Sequence, residues 1–510
     1  MSKKHRSAER AGRGTKKTGR YSRRSGHNRF GMFCIVLQTL ISLAFMGVVV
    51  LLDMLPMRYL AMIALILFFL WCITLTTQVA RRKKDILGKA FSLLMVCVLS
   101  LGTFYVAKTN DIIGKITGGN YRVDKMVVAV RADDSAEVIE DAMDYSFGVQ
   151  FEQGGDNMQA AVNDIQNTLG GEISAVECSS VQEQAEALID GEVDAIIYNK
   201  AYTELMDSAV EDYSDNIRII YETSIKVQLD IGNSGDNTLT KEPFTVYISG
   251  IDVYGDVTET SRSDVNIIAV VNPKTHQVLL VTTPRDYYVE IPGISKGRED
   301  KLTHAGLYGI EASMNTLSQL YETDINYYVR LNFTSLIDIV DILGGVDVYS
   351  ELAFTTGKDS GHVMDVSEGY NHFNGEEALA FSRERQNFAD GDNQRGKNQE
   401  AVITAMIKKM LSPTMLLKAN GILNEVSEDV EMNVTQSQLN SLVKYQLNTN
   451  AKWTIKSVAA EGTPANDYCY SSGDTLLYVT VPDRQSVNEI INLVNVVEEG
   501  GMLEGAEELN

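Results

Sequence analysis

Three stretches of about twenty residues, 32–52, 59–79 and 86–107, are almost wholly apolar, and they constrain the chain more than any other feature. A helix of that length crosses a hydrocarbon core of about 30 Å. The first stretch follows a basic region longer than a signal peptide carries, lacks a small-residue cleavage site and is succeeded by two more. All three are expected to be retained transmembrane helices.

Charge divides along the same line. Residues 1–106 hold 17 Lys and Arg against 3 Asp and Glu, whereas the remaining residues hold 28 against 65, giving the net charge of −23. Residues 1–30 are basic, rich in Gly and Ser and poor in large apolar side chains, the composition of a disordered tail. No helix-turn-helix periodicity accompanies them, so nucleic acid is not an expected partner. Arg81, Arg82, Lys83 and Lys84 lie between the second and third apolar stretches. By the positive-inside rule, the N-terminus and this loop are cytoplasmic, and everything after about residue 107 lies outside a multi-pass cell-membrane protein. Only Cys178 and Cys469 lie beyond the apolar stretches. Their wide separation argues against a disulfide, and against zinc.

The exterior chain reads as two α/β regions. Over 108–240, strands near 125–130, 171–177, 194–198 and 217–221 alternate with helices near 137–145 and 179–190, and a Gly/Asn/Ser-rich linker follows from 229. No cluster of catalytic residue types falls in this accessory region, which reads as a docking or spacer module. A larger domain spans 241–485, and residues 486–510 read as a helix followed by an acidic, unstructured tail. In the larger domain, the apolar positions Leu307, Ile310, Met314, Leu317 and Leu320 share one helical face, suited to a core or to a groove for a lipid chain.

Within it, the segment from Ser261-Arg262-Ser263-Asp264 to Pro284-Arg285-Asp286 encloses two β-branched strands. An Arg and a carboxylate therefore recur at the ends of adjacent strands, a pairing suited to phosphate oxygens and to the Mg²⁺ that bridges them. Asp252 ends one strand and Asp264 precedes the next, so a hairpin-like return brings both carboxylates to one cation. Arg383 and Arg385 point the same way only if the chain is extended there. Arg395 and Gln399 share a helical face. Four arginines, with Arg395 a fifth, in so acidic a domain make a concentrated anion site.

Taken in order, Ser249-Gly250-Ile251-Asp252, Ser261-Arg262-Ser263-Asp264, Pro284-Arg285-Asp286, Asp300-Lys301 with His304-Ala305, Leu343-Gly344-Gly345-Val346, Arg383-Glu384-Arg385, and Asp392 with Arg395 and Gln399 resemble the LytR-CpsA-Psr family of cell-wall phosphotransferases. Val265 departs from the family's usual Thr, and Leu302-Thr303 from its Ile-Asn. The resemblance implies a central mixed β-sheet flanked by helices, with an apolar cavity for a polyprenyl chain. It implies transfer of a glycopolymer from undecaprenyl pyrophosphate to the N-acetylmuramic acid of peptidoglycan, leaving a phosphodiester. Carried over, Asp252 and Asp264 hold Mg²⁺. Arg262, Arg285, Lys301, Arg383, Arg385, Arg395 and Gln399 surround the pyrophosphate, and Asp264 or Asp286 takes the acceptor's proton. Three spans and an inserted domain look like the capsule-type members, whose partners would include capsule or wall synthesis machinery.

Two other classes use similar parts. A polyprenyl-pyrophosphate hydrolase would differ only in taking water as nucleophile, and a non-catalytic receptor would need the arginines but not paired metal carboxylates. There is no Gly-x-Ser-x-Gly elbow, Walker loop or His-Glu-x-x-His run to support other chemistries.

Overall fold

The computed structural model describes residues 29–79, 86–116, 121–229, 231, 238–251, 257–388, 391–410, 412, 415 and 430–508. The chain divides into two compact units, 1–46 with 61–103, and 47–60 with 104–510. Most of the first unit belongs to the apolar helices Arg29–Leu51, Met57–Val79 and Ile86–Ile116, each long and apolar enough to cross a membrane. Polar groups join them where apolar side chains would have no preference between lipid and protein. Trp71 Nε1 donates to Thr39 Oγ1 at 2.9 Å, and Ser92 Oγ donates to Gln38 Oε1 at 2.9 Å.

The second unit contains two sheets. The accessory sheet runs in the order Ser174–Glu177, Ser146–Val149, Ala195–Asn199, Tyr121–Arg131, Ile217–Gln228. Alternate residues of its long strand enter opposite cores, Met126, Val128 and Val130 on one face, Val127 and Ala129 on the other, as the two-residue period of a strand requires. Ser180 caps Val181–Ile189, accepting from Glu183 N at 3.1 Å. The accessory elements depart from expectation in several places, the unforeseen strand Ser146–Val149 and helix Thr203–Ala209 among them. Residues 137–145 make only the 3-10 turn Ile139–Ala142, and an unforeseen helix, Phe151–Leu169, buries Met158, Ala161, Val162 and Ile165. Gly154 and Gly155 near its start hid its periodicity, and Gly155 does break the helical path there with φ 47°.

The larger sheet is mixed and seven-stranded, ordered Val430–Met432, Tyr327–Leu331, Phe244–Gly250, Val265–Asn272, Gln277–Thr283, Thr454–Ala459, Glu507–Glu508. Helices flank both faces, as expected. Ile267, Ala269, Val278 and Leu280 face a core shared with Phe333–Ile342, Gly375–Arg383 and Gly391–Met410. Ile268, Val270, Leu279 and Val281 face Ile310–Tyr321 and Arg484–Glu498. Burial on both sides explains why these central strands read as continuous apolar runs.

Two further expectations are corrected. The stripe from Leu307 to Leu320 is interrupted at Gly309, whose φ of 107° suits glycine alone. Leu307 turns into the accessory core, while Ile310, Met314 and Leu317 pack beside Ile490 and Val494. The expected single face thus divides between two cores, and core is the role the stripe takes. The acidic tail is ordered through Glu508. Gln277 Nε2 donates to Gly501 O and Leu503 N to Gln277 Oε1, both at 2.7 Å, and Glu507 and Glu508 pair with Ile455 and Thr454 as an edge strand. Lys408 and Lys452 meet the two glutamates at 3.2 Å, so counter-charges brought by the fold offset the acidity that suggested disorder.

The accessory sheet is laced to the loop that precedes Asp264. Val123 N donates to Thr258 O and Thr260 N to Val123 O, both at 3.0 Å. Asp124, 1% exposed, accepts from Thr260 Oγ1 and pairs with Arg122 Nε at 3.3 Å, while Arg122 Nη1 donates to Tyr308 O at 2.9 Å.

Candidate active site

Strand register builds the site. Val265–Asn272 and Gln277–Thr283 are antiparallel with Asn266 opposite Thr283; two residues further out, that register sets Asp264 opposite Arg285. On the other side, Asp264 N donates to Gly250 O at 2.8 Å. A side chain at Gly250 would sit 2.6 Å from Val265 Cγ2, so glycine is what lets the two strands converge below Asp264.

Arg285 Nη1 lies 3.2 and 3.3 Å from the two Asp264 carboxylate oxygens, and its Nε lies 3.5 Å from Asp286 Oδ2. Lys301 Nζ meets Asp286 Oδ1 at 2.5 Å, and Thr303 Oγ1 donates to Asp264 Oδ1 at 3.4 Å. Burial pushes the Asp264 carboxyl up, but Arg285, then Arg395 and Arg262, outweigh it and hold the group below the usual carboxylate range. Arg262, Arg285, Asp286, Lys301, Arg383, Arg385 and Arg395 line one polar pocket of about 420 Å³. These seven predicted residues therefore converge. Asp264 meets them through Arg285, whereas Asp252 lies outside the described residues.

The two-apart arginines converge for a local reason. The helix Gly375–Arg383 ends at Arg383, and Glu384 is extended with ψ 129°. Glu384 turns inward, accepting from Gly357 N at 2.5 Å and Ser360 Oγ at 2.8 Å, which leaves its neighbours facing the pocket. Burial raises the Glu384 carboxyl, but these donors prevail and hold it low.

Beside the polar pocket is a narrow apolar cavity of about 70 Å³ between the sheet and three helices, lined by Ile248, Val265, Leu336, Leu379, Val402 and Ile403. Asp264, Arg383, Arg395 and Gln399 also line it, so its polar end is the anion site. Such a pairing accepts an amphiphile with a charged head and an apolar tail.

Sequence reasoning missed three contributors. Glu204, from the accessory helix Thr203–Ala209, pairs with Arg262. Arg330, 4% exposed, donates to Ser261 Oγ at 3.1 Å and lies 3.8 Å from Glu431 Oε2, supporting the Arg262 loop from beneath. Thr303 contacts Asp264. Glu204 and Arg330 join the site only through tertiary packing and had no motif signal. Thr303 stands between Lys301 and His304 as a departure from the family pattern and was not among the expected site residues.

Among the described residues, no three His, Cys, Asp or Glu side chains gather as a metal-binding group. Asp264, held ionised beside the Thr303 hydroxyl, nonetheless suits Mg²⁺, which commonly takes one or two carboxylates and completes its shell with substrate phosphates and water.

The LytR_cpsA_psr family profile matches residues 199–492. A profile described as DNA polymerase processivity factor matches residues 82–198, less than a quarter of the chain, and assigns it no family. The chain is 32% identical over 274 residues to the polyisoprenyl-teichoic acid–peptidoglycan teichoic acid transferase TagU of Bacillus cereus strain AH820, covering 53% of this chain and 85% of that protein. It is 35% identical over 229 residues to the Enterococcus faecalis TagU, covering 44% and 71% respectively. Among solved structures, B. subtilis TagV aligns with TM-score 0.43 and 25% identity over 51% of this chain and 98% of that one. TagT bound to LI-WTA aligns with TM-score 0.41 and 26% identity over 52% and 93%.

Proposed function

The chain belongs to the LytR-CpsA-Psr family, and we propose that it transfers a glycopolymer from a polyprenyl-pyrophosphate carrier to peptidoglycan, forming a phosphodiester. The observation that carries this reading is the apolar cavity whose polar end is the arginine cluster around Asp264. The head-proximal end of a polyprenyl tail enters the cavity, and the arginines take the pyrophosphate, whose charge they neutralise as the lipid phosphate departs. The polymer is an envelope polysaccharide of capsule or teichoic-acid type, the carrier undecaprenyl pyrophosphate, and the acceptor N-acetylmuramic acid. The N-terminus is cytoplasmic and the catalytic domain extracellular, where capsule or wall synthesis machinery would deliver the donor.

Each residue has a distinct task. Arg285 bridges Asp264 and Asp286, fixing both carboxylates. Arg262, Arg383, Arg385, Arg395 and Lys301 bind and orient the phosphates, and Gln399 sits at the join of head and tail. Asp264, ionised by its arginines, would hold Mg²⁺ together with Asp252, and the ion when bound neutralises phosphate oxygens. That leaves Asp286 to take the acceptor's proton.

The test is reconstitution of the full chain in lipid nanodiscs with a polyprenyl-pyrophosphate saccharide and peptidoglycan fragments, the products being weighed by mass spectrometry. A muramic phosphodiester adduct, lost in Asp264→Ala, supports transfer. Free saccharide phosphate without an adduct would replace it with hydrolysis.

A further inference from the structure

We propose that the cleft between the accessory domain and the Arg262 loop is the acceptor subsite, and that it takes a neutral sugar chain presenting a primary hydroxyl. The proposal rests on the transferase reading above and gives the accessory domain a part in it. The cleft has a volume of about 420 Å³, with Lys125, Lys200, Thr203 and Glu204 on the accessory side and Glu259 and Arg262 opposite. Its inner end is Asp264 and Arg285. A space of this size accommodates about two sugar rings, with the rest of the chain running out over its open rim.

Direction comes from the reaction. Attacking and leaving oxygens at a transferred phosphoryl group lie roughly in line. The leaving polyprenyl phosphate is drawn toward the apolar cavity, on the side of Arg383, Arg395 and Gln399. The accessory cleft shares only Asp264 with that cavity. A phosphoryl group held at Asp264 and Arg285 thus presents its attackable face to the cleft. The acceptor's hydroxyl oxygen bonds to the glycan-bearing phosphorus, and the bridging P–O bond of the pyrophosphate breaks. Its electron pair leaves on polyprenyl phosphate, and the hydroxyl proton passes to the carboxylate pair that Arg285 joins, of which Asp264 lines the cleft and Asp286 lies behind Arg285.

Charge selects the class of chain. Lys125 pairs with Glu259 and lies 4.0 Å from Glu222, and Lys200 meets Glu222 at 3.0 Å. Cations so matched give little net field for a polyanion, whereas alternating donors and acceptors suit sugar hydroxyls and amides. The cleft is also fixed in shape, because Thr258 and Thr260 are bonded to Val123 and Asp124.

The test uses the full chain in nanodiscs with Lys200→Ala and Glu259→Ala, each at the cleft rim and outside the pyrophosphate site. Both variants should raise KM for peptidoglycan fragments at least fivefold and weaken fragment binding in parallel, with kcat and donor KM unchanged. Unchanged donor KM also reports that the variants fold. A rise in donor KM alone would make the cleft a donor-glycan site and overturn the proposal. So would an unchanged acceptor KM, particularly if Tyr478→Ala, in the other groove that reaches Asp264 and Asp286, raised it. If the wild type binds fragments but transfers nothing, the transferase reading fails while loss of binding in the variants upholds the cleft as a glycan site. Absence of fragment binding by the wild type overturns it.

Discussion

Arg285 Nη1 contacts both carboxylate oxygens of Asp264, at 3.2 and 3.3 Å, across neighbouring antiparallel strands. Its Nε reaches toward Asp286 at 3.5 Å, so one guanidinium sets the spacing of two carboxylates. Arg285→Ala should lower kcat/KM by about 10²–10³-fold, the usual cost of a charge-stabilising donor. Arg285→Lys should recover little of it, because an ammonium is a point charge and cannot span both carboxylates. Steady-state transfer kinetics check both variants.

Gly306 lies outside the arginine-lined pocket yet governs it. A Cβ there would stand 2.7 Å from Ser261 O and 2.9 Å from Ser263 N, on the backbone that carries Arg262. Gly306→Ala should therefore displace that loop and lower kcat by about tenfold or more, since small misplacements of a positioned group are costly. Circular dichroism should remain native.

Much of the site was legible because its residues sit at strand ends in compact motifs. The alternation Arg383-Glu384-Arg385 implied an extended segment, and Glu384 turning inward while its neighbours face the pocket is the physical form of that pattern. Glu204 and Arg330 were illegible, because nothing in their local sequence encodes contact with residues 58 and 69 positions away. The stripe through Leu307 misled for a different reason. Periodicity records which residues are apolar, whereas the break at Gly309 decides which core each one joins.

The cavity should measure the donor's tail. Val402, 1% exposed, lines it together with Leu379 and Ile403. Val402→Trp fills space that a long prenyl chain needs, and each methylene kept in water forfeits about 0.8 kcal/mol. KM should rise at least tenfold for an eleven-isoprene donor and change less than twofold for a two-isoprene donor. Equal effects on both would place the tail elsewhere.

Glu400 supplies a pH signature on the same helix. Burial raises its carboxyl, with Ser457 and the Thr282 hydroxyl, the latter 3.1 Å away, opposing more weakly. A carboxyl raised in the folded state contributes stability below its unfolded value of about 4.3, and that stability is lost as pH rises through the folded value. Glu400→Gln should therefore raise the melting midpoint at pH 7 by about 2 °C. The difference should fade toward pH 4, which thermal melts across that range would show.

The central claim is that a sugar hydroxyl, and not water, attacks the phosphorus held at Asp264 and Arg285. Turnover of donor and peptidoglycan fragments by the full chain in ¹⁸O-labelled water tests it directly, with products read by mass spectrometry. Transfer predicts a muramic phosphodiester free of ¹⁸O, its bridging oxygen coming from the sugar. Saccharide phosphate carrying one ¹⁸O, with no phosphodiester formed, would contradict it.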